Sequence, residues 1–284
     1  MRDASLVTRV LVGVLAVGGL FVIGMPASGA RSKPPTVTIV GKDFSFEMPD
    51  AIKPGWTTID FDNRGQEEHQ VQLARLNGGV TQDQFNQALI ASASDNAIGA
   101  LKLVRLAGGV NAIPAGTSGS AVVKLNAGNY VALCFVSGDD EIPHVAKGMI
   151  KYITVDGAAN KAAAPKAKAT ITARDFSFSI PKKLSGTPPI AFTNKGPESH
   201  ELTLMKLNPG VTIDDVKNLF LGTGVPTGPP PTEVGGVGAI APKTTAYLNT
   251  ELAKGKYVAV CFVPDPKTGK AHVELGMFAP FTVS

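Results

Sequence analysis

Histidine, cysteine and methionine occur in this chain in a pattern that could hold metal ions. The chain has 284 residues but only four histidines and two cysteines. In two separate stretches a cysteine, a histidine and a methionine follow one another in that order, and an earlier histidine precedes each stretch. The two sets are His69, Cys134, His144 and Met149, and His200, Cys261, His272 and Met277. Imidazole and thiolate groups are metal ligands, so both sets are candidate metal sites.

This combination of ligands favours copper. Two imidazoles and a thiolate in a trigonal plane, with a weak axial thioether, form a blue-copper electron-transfer site. Soft sulfur ligands favour Cu(I) and imidazoles suit Cu(II), so one site can hold both oxidation states. Zinc bound by one cysteine and two histidines is an alternative, although a thioether adds little to a zinc site. The sequence therefore predicts one copper per set, two per chain.

The two sets lie in two copies of an internal repeat, residues 36–155 and 169–284. Three pairs of segments carry the likeness: KDFSFEMP and RDFSFSIP, FDNRGQEEH and FTNKGPESH, AGNYVALCF and KGKYVAVCF. Residues 156–168 are rich in Ala, Lys and Pro and contain no large apolar residue. Such a segment cannot form a core and is interpreted as a linker. We therefore expect a signal segment at 1–30 and two similar domains.

Each repeat is predicted to consist mostly of β-strands with one short helix. Short apolar or alternating runs such as TVTIV, TTIDF and YVALCFV are bounded by Gly, Pro, Asn and Asp. Thr81 can cap a helix in the first repeat, and Thr212 can cap one in the second. Short strands with turn signals between them indicate a sandwich or a barrel. The predicted fold class is all-β.

Taken together, these motifs resemble those of the cupredoxins, the family of plastocyanin and azurin. In that family the first histidine follows an N-x-G turn, and the cysteine ends a strand after G-x-Y-x3. The second histidine and the methionine lie on the next loop. Both repeats contain N-x-G-x3-H and G-x-Y-x3-C in this order. The resemblance implies two tandem Greek-key β-sandwich domains and assigns the eight residues named above as copper ligands.

The loop from the cysteine to the second histidine departs from the small cupredoxins. It has nine intervening residues in the first repeat and ten in the second, where small cupredoxins have only a few. The type 1 copper domain of copper nitrite reductases is similar in having a long loop and an H-V-x-x-G-M ending. The resemblance also implies that His144 and His272 present a ring edge to solvent, where electrons would enter. Asn63 and Asn194 either tie the ligand loops together or form turns.

Other roles for the two cysteines stay open at this point. A cysteine on a strand can be a small buried hydrophobic residue, and a cupredoxin-like domain without metal could serve as a binding module. A Cys134–Cys261 disulfide would need Cα atoms within about 7 Å of each other, at equivalent positions of two domains. Metal ligation has the advantage that it protects a thiol from oxidation in an exported protein.

The N-terminal residues have the pattern of an export signal. Arg2 and Arg9 precede or flank the apolar run Val10–Met25, and Ser28 and Ala30 are small residues of the kind found before a cleavage site. We expect cleavage after Ala30 and a secreted or periplasmic protein. An uncleaved membrane anchor is the alternative, but the run is short for a membrane span.

Charge and residue usage argue against several functions. A formal net charge of +4 is too small to indicate nucleic acid or an anionic membrane as a partner. Copper nitrite reductases and multicopper oxidases need further histidines, one of them immediately before the cysteine, where this chain has Leu133 and Val260. Catalytic motifs such as G-x-S-x-G and H-E-x-x-H do not occur. We expect a protein that is not an enzyme and whose partner is a redox protein.

Overall fold

The computed structural model describes residues 32–92, 97–222 and 229–284. The predicted signal segment lies outside the described residues. The elements of the first repeat are β1 (Thr36–Lys42), β2 (Ser45–Glu47), β3 (Ala51–Ile52), β4 (Gly55–Asn63), β5 (His69–Leu76), α1 (Gln82–Ala91), α2 (Ile98–Leu101), β6 (Val104–Ile113), β7 (Ser118–Leu125), β8 (Gly128–Leu133) and β9 (Ile150–Val155).

The second repeat has the same succession of longer strands around one helix. Its elements are β10 (Ala169–Arg174), β11 (Ser177–Ser179), β12 (Ile190–Asn194), β13 (His200–Lys206), α3 (Ile213–Leu221), β14 (Thr232–Ile240), β15 (Thr245–Leu248), β16 (Gly255–Val260) and β17 (Phe278–Val283). The all-β class and the short helix in each repeat are confirmed. The four-residue helix α2 was not predicted.

Local sequence explains where the helices begin. The side chain of Thr81 accepts a hydrogen bond from Gln84 N–H, and the Gln84 side chain accepts one from Thr81 N–H. Thr212 and Asp215 form the same reciprocal pair at the start of α3. These capping boxes satisfy backbone donors that a helix N-terminus leaves without partners, so both helices begin directly after the predicted threonines.

Two sheets run through both repeats. The eight-stranded sheet has the order β11-β10-β12-β15-β7-β4-β1-β2, and the nine-stranded sheet has the order β17-β16-β13-β14-β6-β5-β8-β9-β3. Each repeat contributes matching strands to both sheets, in opposite directions from the junction. The repeats join where β15 pairs with β7 and β14 pairs with β6, both antiparallel. The described residues accordingly form one compact unit.

The core lies between the two sheets. Alternate residues of β4, including Ile59 and Phe61, point into it, as do Val71 and Leu73 of β5 on the facing sheet. This face-to-face packing is the sandwich predicted from the sequence. Residues 156–168 contain no helix or strand, and the domain boundaries stay a prediction. None of the helices in the described part of the chain is long and apolar enough to span a bilayer.

Candidate metal centres

The strands place the predicted ligands at one end of each repeat. His69 is the first residue of β5, and Cys134 directly follows β8. His144 lies on the loop from β8 to β9, and Met149 directly precedes β9. The second repeat repeats these positions with His200, Cys261, His272 and Met277. All eight side chains are buried.

Within the described residues, two groups of three potential metal ligands converge. In the first site, His69 Nδ1 and His144 Nδ1 are 2.9 Å apart, and they lie 3.9 and 3.5 Å from Cys134 Sγ. In the second site, the nitrogens of His200 and His272 are 3.1 Å apart. They lie 4.0 and 3.4 Å from Cys261 Sγ. The two triangles are nearly the same size.

Backbone hydrogen bonds connect each methionine to a histidine of its triangle. Met149 N–H donates to His144 C=O at 2.9 Å, and Met277 N–H donates to His272 C=O at the same distance. Cys134 N–H donates to Met149 C=O at 3.3 Å. The structure thus places all eight predicted residues at two locations. Their assignment as metal ligands stays a prediction.

The long loop between cysteine and second histidine is closed at its base. His144 N–H donates to Val136 C=O, and Val145 N–H donates to Cys134 C=O, each at 2.8 Å. A bridge between Ser137 and Pro143 continues the pairing. The residues between these paired positions therefore form a hairpin. Because the base of the hairpin is closed, His144 lies close to Cys134 despite the length of the loop. The second loop has the same pairing, with a bridge between Pro264 and Ala271.

A carboxylate binds the outer nitrogen of every histidine. Asp43 Oδ1 lies 2.7 Å from His69 Nε2, and Glu67 Oε2 lies 2.9 Å from His144 Nε2. The corresponding distances in the second site are 2.6 Å from Asp175 to His200 and 3.0 Å from Glu198 to His272. A carboxylate accepts a hydrogen bond, so this network assigns the proton of each neutral imidazole to Nε2.

The donor set therefore fits a metal ion. With the protons on Nε2, each pair of Nδ1 atoms presents two lone pairs to one another at 2.9 and 3.1 Å, with no hydrogen between them. A cation bound between the two nitrogens would remove the repulsion between these lone pairs. One ion bonded to two nitrogens at about 2.0 Å and to a sulfur at about 2.3 Å needs ligands spaced on this scale. Carboxylates on the outer nitrogens of metal-binding histidines are a common arrangement.

The ionisation of the metal-free sites agrees with this fit. Burial raises the pKa of the Cys134 thiol to about 12. Burial, followed by the charge of Glu201, raises the pKa of Cys261 well above its usual value. Burial lowers the pKa of His69 and His200. Burial and the neighbouring His200 lower the pKa of His272 to about 4. The imidazoles of His69, His200 and His272 are thus neutral near pH 7, the form that binds a metal, and metal binding would displace the thiol protons.

The expected solvent-exposed histidine edges are absent from both sites. His144 and His272 have no exposed surface, because Glu67 and Glu198 cover their outer nitrogens. Phe44 packs against His144 with ring centroids 4.9 Å apart, and Phe176 packs against His272 at 4.7 Å. The prediction of a direct solvent edge for electron entry was therefore wrong.

Two further predictions are decided by the structure. Asn63 Oδ1 accepts a hydrogen bond from Gly65 N–H, and its Nδ2 donates to Glu67 C=O and to Ile113 C=O. Asn194 makes the equivalent bonds in the second repeat. Both asparagines thus form turns and attach them to a neighbouring strand, and they do not join the ligand loops. Cys134 and Cys261 are free thiols in different sites, so the disulfide is excluded.

Sequence reasoning missed the residues that hold the histidines. Asp43 and Phe44 occur in KDFSF, and their counterparts occur in RDFSF. Glu67 and Glu198 each lie two residues before the first histidine. The Asp-Phe pair and the glutamate are identical in the two repeats, but this identity does not indicate which side chains they contact in the fold.

The chain matches no protein-family model and no curated protein. Among solved structures, it is similar to auracyanin A, a "blue" copper protein of Chloroflexus aurantiacus, with 20% identity and a TM-score of 0.29 over 43% of this chain and 99% of the other. An auracyanin of Roseiflexus castenholzii gives 16% identity and a TM-score of 0.29 over 44% and 100%.

A third similar structure is an azurin of Methylomonas sp. strain J. It gives 18% identity and a TM-score of 0.27 over 43% of this chain and 95% of the other. Scores of this size do not establish a family. The architecture and the sites described above rest on the strand order and the distances within this chain.

Proposed function

We propose that this chain is an exported copper-binding protein with one type 1-like copper site in each repeat. Its function is electron transfer or copper handling, with a redox protein as partner, and it is not an enzyme. The observation that carries the proposal is the buried triangle of two imidazole nitrogens and one thiol, found twice. The soft thiolate and the two imidazoles suit both oxidation states of copper, which supplies one-electron chemistry when bound.

The residues around each triangle suit this function. The carboxylates orient the imidazoles so that both Nδ1 atoms face the thiol. The buried ligands sit among apolar side chains that exclude water, and the shared sheets fix the strands that carry them. A site that changes shape little between oxidation states exchanges electrons with little reorganisation. A rigid, buried site of this kind favours electron transfer.

Copper analysis of cysteine variants tests the proposal. Cys134→Ala and Cys261→Ala should each reduce bound copper from two ions per chain to one, because each removes one thiolate ligand. Copper-loaded protein should show an intense visible thiolate-to-copper absorption band, halved in each variant. Loading with zinc serves as the control for a colourless metal. Copper content unaffected by either substitution would show that the sites are wrongly assigned, and the absence of any copper uptake would favour a metal-free binding module.

A further inference from the structure

A cleft lies at the junction of the two repeats. One wall consists of α2 and the start of β6 in the first repeat. The opposite wall belongs to the second repeat and consists of residues 197–199 and the loop that follows Cys261. The cleft has a volume of about 340 Å³, which is in the range of sites that hold one small molecule. A ligand bound there would contact both repeats.

The walls of the cleft are held in place by the fold. Ala241 N–H donates to Leu106 C=O at 3.0 Å across the junction. The Asn77 side chain donates to Lys102 C=O at 3.0 Å, which ties the end of α2 to the segment after β5. Proline has a fixed φ and stiffens the backbone that contains it. Four prolines line the cleft: Pro197, Pro242, Pro264 and Pro266. The cleft is therefore preformed.

The lining of the cleft carries more positive than negative charge. Lys102 and Arg105 are exposed there, and neither forms an ion pair with a carboxylate in the described part of the chain. The guanidinium of Arg105 donates only to Pro242 C=O, at 3.4 Å, among these residues. Glu198 is the carboxylate of the lining, and its Oε2 lies 3.0 Å from His272 Nε2. The two cations thus keep N–H donors for a ligand.

A second arginine lies next to Arg105 in the sheet. Arg75 of β5 is directly opposite Arg105 of β6 in the strand register. Like charges in directly opposite positions destabilise a sheet. Arg75 Nε is also buried without a hydrogen-bond partner. An anion bound at Arg105 would offset the repulsion between the two guanidinium groups.

The second repeat builds the matching strand without these cations. Aligned on the paired glycines of β6 and β14, it has Pro229 in place of Lys102 and Thr232 in place of Arg105. The two strands pair with each other in the same sheet. The fold therefore does not require Lys102 and Arg105, and their charges are a property of this cleft.

We propose that the cleft binds a small organic anion, with a carboxylate or phosphate group on an apolar body. The anionic group lies against Lys102 and Arg105, because a guanidinium can donate two parallel hydrogen bonds to either kind of oxyanion. The apolar body lies against Ile98, Leu101 and the prolines of the opposite wall. This inference goes beyond the proposed function and requires no metal in either candidate centre.

Titration of the metal-free protein with benzoate and with phenyl phosphate tests the inference. Backbone amide resonances, followed by NMR, should shift in a saturable way for residues 98–102 and 198–199. Acetate lacks the apolar body and benzyl alcohol lacks the charge, so each should bind at least about tenfold more weakly. Binding of only one of the two aromatic anions supports the inference and identifies the anionic group. Equal affinity for benzyl alcohol would overturn the role of the charge.

Charge-removing variants complete the test. Arg105→Gln should weaken binding by about tenfold or more, because it removes the charged hydrogen-bond donors, and Lys102→Gln should weaken it as well. Lys124→Gln removes an exposed cation from β7 in the other sheet and should leave the affinity unchanged. If thermal unfolding shows that Arg105→Gln does not fold, Lys102→Gln decides. Absence of saturable binding of both aromatic anions, or unchanged affinity in the cleft variants, would overturn the inference.

Discussion

At the scale of single residues, two consecutive residues contact both histidines of a site. Asp43 accepts a hydrogen bond from His69, and the next residue, Phe44, packs against the ring of His144. Asp175 and Phe176 do the same in the second repeat. A charged acceptor on the outer nitrogen fixes both the tautomer and the ring orientation of an imidazole, which places its Nδ1 lone pair toward the thiol.

We predict that Asp43→Asn weakens copper binding at the first site by about 10- to 100-fold. The uncharged amide is a poorer acceptor for Nε2–H and supports the ligating nitrogen less. Affinity is measured by competition with a chelator in Cys261→Ala protein, so that only the first site reports. Asp175→Asn in Cys134→Ala protein is the matched experiment, and Asp156→Asn is the control. An affinity within twofold of the parent would show that the carboxylate does not position the ligand.

The histidines and cysteines of the candidate sites could be identified from the sequence, but the carboxylates that contact the histidines could not. Cysteine and histidine are few in this chain, so their repeated order is informative. Carboxylates are abundant, and Asp43 lies 26 positions from His69, while Glu67 lies 77 positions from His144. The strand order that brings such distant residues together has to be known first. The burial of His144 was missed for the same reason, since its cover comes from another loop.

At the scale of elements, two glycines allow close pairing of the strands that carry the first histidine of each candidate site. Gly109 in β6 has a φ of 141°, and a Cβ there would lie 1.9 Å from Val71 C=O. Gly236 in β14 has the same φ, and its Cβ would lie 1.8 Å from Leu202 C=O. The facing strands begin with the first histidine of each site. Both pairings contain register shifts, at which a glycine backbone is needed.

We predict that Gly109→Ala destabilises the protein by about 3 kcal/mol or more, because the methyl group would overlap a carbonyl oxygen and the backbone angle is strained for alanine. Urea unfolding of the metal-free protein measures the change, and Gly236→Ala should behave alike. Gly78→Ala is the control, since a Cβ at Gly78 meets nothing within 4 Å. Equal unfolding midpoints for Gly109→Ala and Gly78→Ala would contradict the steric argument.

Local sequence patterns predicted the positions of strands and helices better than they predicted which segments pair with each other. The runs TVTIV, TTIDF and YVALCFV overlap β1, β4 and β8, and both helices begin after the predicted threonines. These signals depend on neighbours in sequence, such as alternation and capping. β6 and β14 contain paired glycines, which are depleted in strands, so their pattern is weak. The hairpin shape of the long loop depends on its closure against Cys134, which no local signal encodes.

At the scale of the whole molecule, the repeats share their sheets. Gln72 of the first repeat accepts a hydrogen bond from Ala239 N–H at 2.6 Å and donates to Ala239 C=O at 3.0 Å. The internal likeness predicted two similar domains, but it could not predict this junction. Any uncovered strand edge can form backbone hydrogen bonds with another strand. Which strands pair therefore depends on which edges the rest of the fold leaves uncovered. Here β6 and β14 cover one another, as do β7 and β15.

The junction also gathers carboxyl groups from both repeats. Burial raises the pKa of Glu233 to about 8, and the charges of Glu68 and Glu201 add to the shift. Burial likewise raises the pKa of Glu68 and of Glu201. Because the unfolded chain has an ordinary glutamate pKa near 4.5, the folded protein holds a proton on Glu233 at pH values where the unfolded chain has lost it.

This difference predicts that the stability which Glu233 contributes to the metal-free protein is lost as the pH rises from about 5 to about 8. In that interval Glu233 keeps its proton in the folded state and has lost it in the unfolded state, so its contribution to stability falls as the pH rises. The lowered pKa values of His69, His200 and His272 act in the opposite direction below about pH 6.5. The expected loss from Glu233 is at most about 4 kcal/mol, at about 1.4 kcal/mol for each pH unit of the interval. The stability of the parent relative to Glu233→Gln should fall across this interval, because glutamine does not ionise, and the exposed Glu251→Gln should follow the profile of the parent. Chemical unfolding at a series of pH values measures the profiles. Parallel profiles for the parent and Glu233→Gln would show that Glu233 is already ionised in the folded protein at pH 7.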